Sequence, residues 1–358
     1  MGKLIFKDQI YTFGQIQAGE WQENDPYIVQ SLTFCKDWLN GKQEFDMQTS
    51  GSTGLPKKLT LYRSQMEISA AATKAFFKIE KGVSLLVCIN TEMIGGKMML
   101  VRGLCWHADI HLCLLESNPF NQISPKLNIG FCAMVPLQVE ACLAEDFSSK
   151  ILSKIGVLII GGAPASDSLM QKIKSNGINA FQTYGMTETV SHIALAKIDG
   201  QELRYQTLPN VTIGTDEEKR LWIEAPMAKE KRLQTNDLVE IVGDGIFRWI
   251  GRADFTINSG GIKIQAELLE AEISKYVASV FGNIAYFLFG QEDEKLGQKM
   301  VLFLETSASQ KHQAQKLLGI LKDKMKKYHS PKEVFLIEEF VKTTSGKINR
   351  TKTAQLCF

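Results

Sequence analysis

From residue 84 to residue 185 short apolar runs alternate with stretches of helical spacing. The runs are 84–90 (SLLVCIN), 109–115, 131–135, 155–160 and 181–185. Asn90, Pro136 and Gly161 close three of them. A short, wholly apolar run bounded by such turn residues reads as a strand buried on both faces. The intervening stretches predict helices over 94–104, 137–144 and 166–176, the first opening at Ile94-Gly95-Gly96-Lys97. Strands alternating with helices of this length specify an α/β sheet, largely parallel. Upstream, 27–39 (YIVQSLTFCKDWL) predicts an amphipathic helix stopped by Asn40-Gly41, and an Ala-rich helix spans 63–78.

The texture changes after Thr189. Helical spacing fades and short alternating pieces follow at 220–224, 238–241 and 247–250, with a turn at Gly243-Asp244-Gly245. These predict an antiparallel, barrel-like region. From Asp254 a strand, a helix over 266–277, strands over 281–289 and 299–304, a helix over 309–326 and a strand over 333–338 predict a small α+β unit. The expectation is an α/β, multi-domain chain. A large N-terminal domain (1–253) carries the sheet and the barrel-like region, and a small C-terminal domain covers 254–358.

The 358-residue length suits two domains, and 44% hydrophobic with 22% charged residues is ordinary for a globular protein. With 41 basic against 39 acidic residues the net charge is +2, which gives no reason to expect a nucleic-acid groove or a basic membrane face. No apolar run approaches a membrane span, and the charged N-terminus does not read as a secretory signal. Cysteines at 35, 88, 105, 113, 132, 142 and 357 include no C-x-x-C pair and read as buried free thiols, placing the chain in the cytoplasm. His107 and His111 have metal-like spacing but no third ligand nearby in sequence, and they read as ordinary core or surface histidines.

Six stretches carry chemistry. Thr49-Ser50-Gly51-Ser52-Thr53-Gly54-Leu55-Pro56-Lys57-Lys58 concentrates hydroxyls, glycines and lysines, as a cradle for polyphosphate requires, and is not a Walker A loop. A short strand over 58–62 returns from it. Gly161-Gly162-Ala163-Pro164 closes a strand at the end where α/β sheets place ligands. In Tyr184-Gly185-Met186-Thr187-Glu188-Thr189 an aromatic face suits a base, a hydroxyl suits a phosphate and a carboxylate suits Mg²⁺. Asp237, in Thr235-Asn236-Asp237-Leu238, can accept both hydroxyls of a ribose. The last two are 251–261, from Gly251-Arg252 to Gly260-Gly261, and Thr343-Thr344-Ser345-Gly346-Lys347-Ile348-Asn349-Arg350. Taken singly, Lys347 is one surface lysine among many, Glu188 a helix-start carboxylate, Arg252 a structural ion pair and Asp237 a turn former.

Taken together and in this order, from about 47 to 351, these stretches resemble the acyl-adenylate-forming enzymes. That family includes acyl-CoA synthetases, luciferases and the adenylation domains of peptide synthetases. The resemblance implies two steps. A carboxylate attacks the α-phosphate of Mg·ATP to give acyl-AMP and pyrophosphate, and a thiol, usually coenzyme A, then takes the acyl group. It implies that Thr49, Ser50, Gly51, Ser52, Thr53, Gly54 and Lys57 lie near the outer phosphates of ATP. Thr187 would meet the α-phosphate, and Glu188 the Mg²⁺. Gly161, Gly162, Ala163, Tyr184 and Gly185 would frame adenine. Asp237 and Arg252 would hold ribose, and Lys347 would bridge the α-phosphate and the carboxylate. It further implies that the small domain is mobile about a hinge at Asp254. Lys347 faces the site in one orientation, and Ser259-Gly260-Gly261 presents a pantetheine tunnel in the other.

Within the family, Tyr184 to Ile193 and Met134-Val135-Pro136-Leu137-Gln138 look most like the o-succinylbenzoate–CoA ligase branch of menaquinone synthesis. Such a substrate is a dicarboxylate. Its unreactive carboxylate enters an apolar pocket and needs a cation or several donors there. Arg102 fits the place where a relative carries a pocket arginine, and Ser191 and His192 are further candidates.

Two departures stand out. Met93 occupies a position that is often His or an aromatic. The phosphate loop also begins unusually early, which implies that part of the first domain is missing. This is either a compact form of the enzyme or one with a weaker coenzyme A surface or a partner subunit. A homodimer is compatible with the resemblance. Two other readings share the nucleotide motifs: an adenylation enzyme loading a carrier-protein thiol, and a non-catalytic nucleotide-binding protein.

Overall fold

The computed structural model describes residues 2–49, 57–326, 328–343 and 348–358, with the side chains at 48, 49, 57 and 58 outside the described set. The chain opens with the hairpin of β1 (Lys3–Phe6) and β2 (Gln9–Thr12), followed by α1 (Phe13–Ala18) and α2 (Pro26–Leu39). Asp25 caps α2 by accepting from the Tyr27 and Ile28 N–H groups, with Pro26 at the first helical position. β3 (Glu44–Thr49) and β4 (Lys57–Tyr62) pair antiparallel as a separate ribbon. Its register sets Thr49 opposite Lys57, so the two ends of the Ser/Thr/Gly loop are brought together.

The alternating core follows, with one helix, over Asp146–Leu152, that the sequence reading does not include. It comprises α3 (Arg63–Phe77), β5 (Ser84–Val87), α4 (Ile94–Trp106), β6 (Asp109–Leu112), β7 (Phe131–Met134), α5 (Pro136–Leu143), α6 (Asp146–Leu152), β8 (Val157–Ile160), α7 (Asp167–Ser175) and β9 (Ala180–Gly185). Strands β9, β8, β7, β5, β6 and β1 lie side by side in that order, all parallel. From β5 the chain steps outward to β6 and then back past β5 to β7. Such a reversal opens a crevice at the carboxyl ends of the strands.

Alternate residues of each strand serve opposite faces. Leu85, Val87, Phe131 and Ala133 join the core under α2, α3 and α4, while Leu86, Cys88, Cys132 and Met134 join the one under α5, α6 and α7. The cysteines are free, and all but Cys105 and Cys357 are buried.

The region expected to be barrel-like is the antiparallel half of the same sheet. β10 (His192–Lys197), β11 (Tyr205–Thr207), β12 (Thr212–Thr215), β13 (Arg220–Glu224), β14 (Leu233–Gly243) and β15 (Ile246–Arg252) extend it beyond β9. Among the described residues the sheet has 13 strands.

After Arg252 a second sheet begins. Its elements are β16 (Thr256–Ser259), β17 (Ile262–Gln265), α8 (Ala266–Phe281), β18 (Tyr286–Asp293), β19 (Gly297–Glu305), α9 (Lys311–Lys324), β20 (Glu333–Ile337) and α10 (Arg350–Ala354). Leu288, Leu302 and Leu304 pack under α8 and α9, and Phe287, Val301 and Phe303 form an aromatic core on the opposite face with Phe340 and Ala354. No helix among the described residues is long and apolar enough to cross a membrane.

Candidate functional site

Two of the predicted motifs lie at the ends of the neighbouring strands β8 and β9, and a third, around Asp237 within β14, is bonded to the second. At the end of β8, the 161–165 turn is closed by one side chain of β9. The buried Gln182 amide donates to the Ile160 and Ala163 carbonyls at 3.1 and 3.2 Å and accepts from the Ala165 N–H at 2.9 Å. Gly162 and Ala163 remain exposed, and no described acceptor takes their N–H groups. An aromatic base edge has donors waiting there.

At the end of β9, Tyr184 packs edge-on to Phe247 with ring centres 5.1 Å apart. Its hydroxyl donates to Asp237 at 2.6 Å. The other Asp237 oxygen faces Trp249 Nε1 at 3.4 Å and Arg252 Nη1 at 3.6 Å. Arg252 also bonds Asp254 at 2.5 Å. Burial, and then the neighbouring Asp237 charge, push the Tyr184 phenol well above its usual range, so it stays a donor. The predicted ribose and base residues therefore form one cluster, in which Asp237 is already bonded to protein groups.

Thr187, Glu188 and Thr189 form a single 3-10 turn. The buried Thr189 hydroxyl staples it, accepting from the Met186 N–H at 3.2 Å and donating to the Ser191 carbonyl at 2.8 Å. Glu188 is exposed and has no partner among the described residues. The next residue is strained. Val190 is fully buried at φ 65°, ψ −44°, and the Ser191 N–H bonds the Thr189 carbonyl across it at 2.7 Å. This γ-turn is rare, and more so for a β-branched residue, at a cost of about 1–3 kcal/mol. It reverses the chain from the Tyr184–Thr189 turn into β10, pairing His192 with Gly185. The approach demands glycine, since a Cβ on Gly185 would stand 2.4 Å from both His192 Cα and the Ser191 carbonyl oxygen.

On the other side of that contact lies Arg102, only 1% exposed. Its Nη2 donates to Ser191 Oγ at 2.9 Å and lies 3.5 Å from His192 Nδ1, and Nη1 reaches Met99 Sδ at 3.7 Å. It forms no ion pair with any described carboxylate, and its buried Nε has no hydrogen-bond partner. Burial pulls the guanidinium down to about 9, which still leaves it charged at neutral pH. A buried cation facing only neutral acceptors is costly by several kcal/mol unless an anion joins it. Burial, and then the Arg102 charge, hold His192 well below the usual histidine range, so its ring is neutral. Its Nε2 lies 3.1 Å from Thr73 Oγ1 on α3.

The structure thus gathers Tyr184, Asp237 and Arg252 into one cluster and Arg102, Ser191 and His192 into another, joined through Gly185. Ser50, Gly51, Ser52, Thr53, Gly54 and Lys347 lie outside the described residues, as do the side chains of Thr49 and Lys57. No hydrogen bond among the described residues links the β3–β4 ribbon to the Thr187–Thr189 turn. Among them there is also no cluster of three or more metal-ligating side chains, and His107 caps the end of α4. Surface depressions of about 470 and 480 Å³ exist elsewhere, lined by Phe34, Asp37 and Lys97 among others and by Asn210, Thr212 and Lys231 among others, and neither includes a predicted site residue.

Sequence reasoning missed Gln182, Trp249 and Thr73. Thr73 was accessible through helical spacing, because it shares the buried face of α3 with Met66, Ser69 and Ala70.

The sequence profile of the AMP-binding enzyme family matches residues 46–216. A crystal structure of an acyl-CoA synthetase (AMP-forming)/AMP-acid ligase II-like protein from Dyadobacter fermentans is 35% identical, covers 95% of this chain and 97% of its own, and superposes with a TM-score of 0.64. A 2-succinylbenzoate–CoA ligase from Bacillus cytotoxicus is 23% identical over 98% of this chain and 78% of its own length. The o-succinylbenzoate coenzyme A synthetase of Bacillus subtilis, solved with ATP and magnesium ion, shares the fold with a TM-score of 0.71 at 20% identity, over 86% of this chain and 69% of that one.

Proposed function

We propose that this chain, which belongs to the AMP-binding enzyme family of acyl-adenylate-forming ligases, activates a dicarboxylic acid, 2-succinylbenzoate, and passes its acyl group to coenzyme A. The observation that carries the substrate class is Arg102: a buried guanidinium with no counter-ion and an unpaired Nε among the described residues. A carboxylate meets that need with charge and two parallel acceptors. The names of the relatives then select 2-succinylbenzoate, whose second carboxylate would lie against Arg102 and Ser191 while the first reacts.

In the first step one oxygen of the reacting carboxylate attacks the α-phosphorus of ATP, and pyrophosphate leaves. In the second the sulfur of coenzyme A attacks the acyl carbonyl, and AMP leaves. Charge on the phosphate oxygens must be held in place, so the work is positioning and electrostatics. In this reading the 161–163 turn and Tyr184 frame adenine, Asp237 and Arg252 take the ribose, Thr187 takes the α-phosphate, and Lys347 bridges phosphate and carboxylate. Glu188 has an exposed carboxylate without a partner among the described residues, which fits Mg²⁺, an ion that keeps much of its water and needs few protein ligands. When bound, Mg²⁺ neutralises charge on the phosphates. The unit after Arg252 alternates between the two steps about Asp254.

The test is ATP–pyrophosphate exchange with 2-succinylbenzoate, benzoate, fatty acids and amino acids. Exchange with 2-succinylbenzoate and coenzyme A-dependent AMP release are expected; exchange only with another acid ends the reading, as does transfer only to a carrier-protein thiol. Arg102→Ala should raise KM for 2-succinylbenzoate by about 30-fold or more, the cost of losing a buried charged partner, while KM for ATP stays within a factor of about three. Equal effects on both substrates would remove Arg102 from the acid pocket.

A further inference from the structure

The hydrogen bonds around Arg102 run in one direction. The Thr73 hydroxyl donates to the Ser69 carbonyl at 3.0 Å, so Thr73 Oγ1 offers a lone pair to His192 Nε2, 3.1 Å away. Nε2 must then carry the ring proton. The opposite nitrogen, Nδ1, faces only groups with hydrogens to give: Arg102 Nη2 at 3.5 Å and the Ser191 hydroxyl at 3.4 Å. Ser191 Oγ itself accepts from Arg102 at 2.9 Å, which leaves its own hydrogen to turn toward Nδ1. Every proton in the chain points away from the guanidinium, and every lone pair points toward it. Thr73 and Ser69 are 0% exposed and His192 is 5% exposed, so water does not substitute freely for any member.

We propose that Thr73 and His192 are positioning residues for Arg102. Thr73 fixes the His192 ring with Nδ1 unprotonated. That lone pair, reaching the guanidinium directly and through Ser191, then sets its orientation and leaves the unpaired Nε–H for the substrate's second carboxylate. The inference rests on the dicarboxylate reading above and extends it to residues that need not touch the substrate. The alternative tautomer would set an N–H against the Arg102 donor and leave Thr73 no hydrogen to accept from the ring. The ring stays neutral because burial disfavours a charge there and an imidazolium would add a second positive charge beside Arg102.

The test has two arms. Nitrogen-15 NMR of histidine-labelled protein, with the His192 signals assigned by their loss in His192→Asn, should show a neutral Nε2–H ring from pH 6 to 8. A ring protonated on Nδ1, or an imidazolium at pH 7, overturns the inference. The second arm measures the ratio of kcat/KM for 2-succinylbenzoate to that for its analogue with the non-reacting carboxylate replaced by a primary amide.

Thr73→Val should lower this ratio about tenfold, the loss of one buried hydrogen bond. His192→Gln, whose amide reaches the Nε2 position but not Nδ1, should lower it at least as much. His192→Asn, which keeps an acceptor where Nδ1 was, should retain it within about threefold. The change should appear in KM for the acid and not in KM for ATP. A wild type that does not distinguish the acid from its amide overturns the dicarboxylate reading. A wild type that does, with His192→Gln matching or exceeding His192→Asn, overturns the positioning role and leaves the substrate reading intact.

Discussion

Glu267, at the start of α8, sets up a pH dependence whose size follows from the structure. Its Oε2 accepts the Arg252 N–H at 2.7 Å, at the junction between the two sheets. Burial raises its carboxyl to about 7 from an ordinary 4.5, against the opposing pull of that N–H and of Arg350 and Arg252. A carboxyl whose midpoint is raised on folding favours the folded chain only while protonated. Below pH 4.5 the group is protonated in both states and folding is unopposed. Between 4.5 and 7 the unfolded chain gains by ionising and the folded chain does not. Above 7 the full opposition remains, on the order of 3 kcal/mol at about 1.4 kcal/mol per pH unit. Glu267→Gln removes the titration and keeps an amide oxygen for Arg252. Urea unfolding followed by circular dichroism should therefore show the variant close to wild type at pH 4.5 and about 1–3 kcal/mol more stable at pH 8. A difference that is the same at both pH values, or a variant weaker at pH 8, would refute the assignment.

Two further substitutions probe the contacts that hold the site. Arg350→Ala breaks the paired bonds to Glu270 at 2.7 and 2.8 Å and strands a mostly buried carboxylate, at about 3–5 kcal/mol. Hydrogen exchange should accelerate across 348–354, and unchanged protection there would show that the pair does not fasten this tail. Gly185→Ala puts a methyl 2.4 Å from His192 Cα, so it should lower Tm through about 1–3 kcal/mol of overpacking and depress exchange activity with every acid. A variant with wild-type Tm would mean that β9 and β10 can move apart.

The parallel core was legible because a strand buried on both faces leaves an apolar run that nothing on the surface imitates. The 131–134 strand, with all four residues buried, shows it. Of the antiparallel half, β13 and parts of β14 and β15 were legible as strands, whereas β10, β11 and β12 and the continuity of the sheet were not. The joint is the turn at Val190, whose backbone no local pattern announces. The strand expected from 281 begins at Tyr286, because Gly282, at positive φ, ends α8 first. At the site, the family motifs located the Tyr184–Asp237–Arg252 and Arg102–Ser191–His192 groups. They did not reveal Thr73, 119 residues from its partner His192, or Trp249, which faces Asp237 from the next strand. Such partners are selected by the fold: helical spacing sets Thr73 on the buried face of α3, but nothing local names His192 as its partner.

β10 pairs with β9 beside both clusters, whereas no hydrogen bond among the described residues links Thr73, Met99 or Arg102 on α3 and α4 to the Tyr184–Asp237 group. This division constrains redesign. On the proposed function, retailoring the enzyme for a different acid is best attempted on the two helices, while a library built on Ser191 or His192 would trade one substrate's fit against the other's.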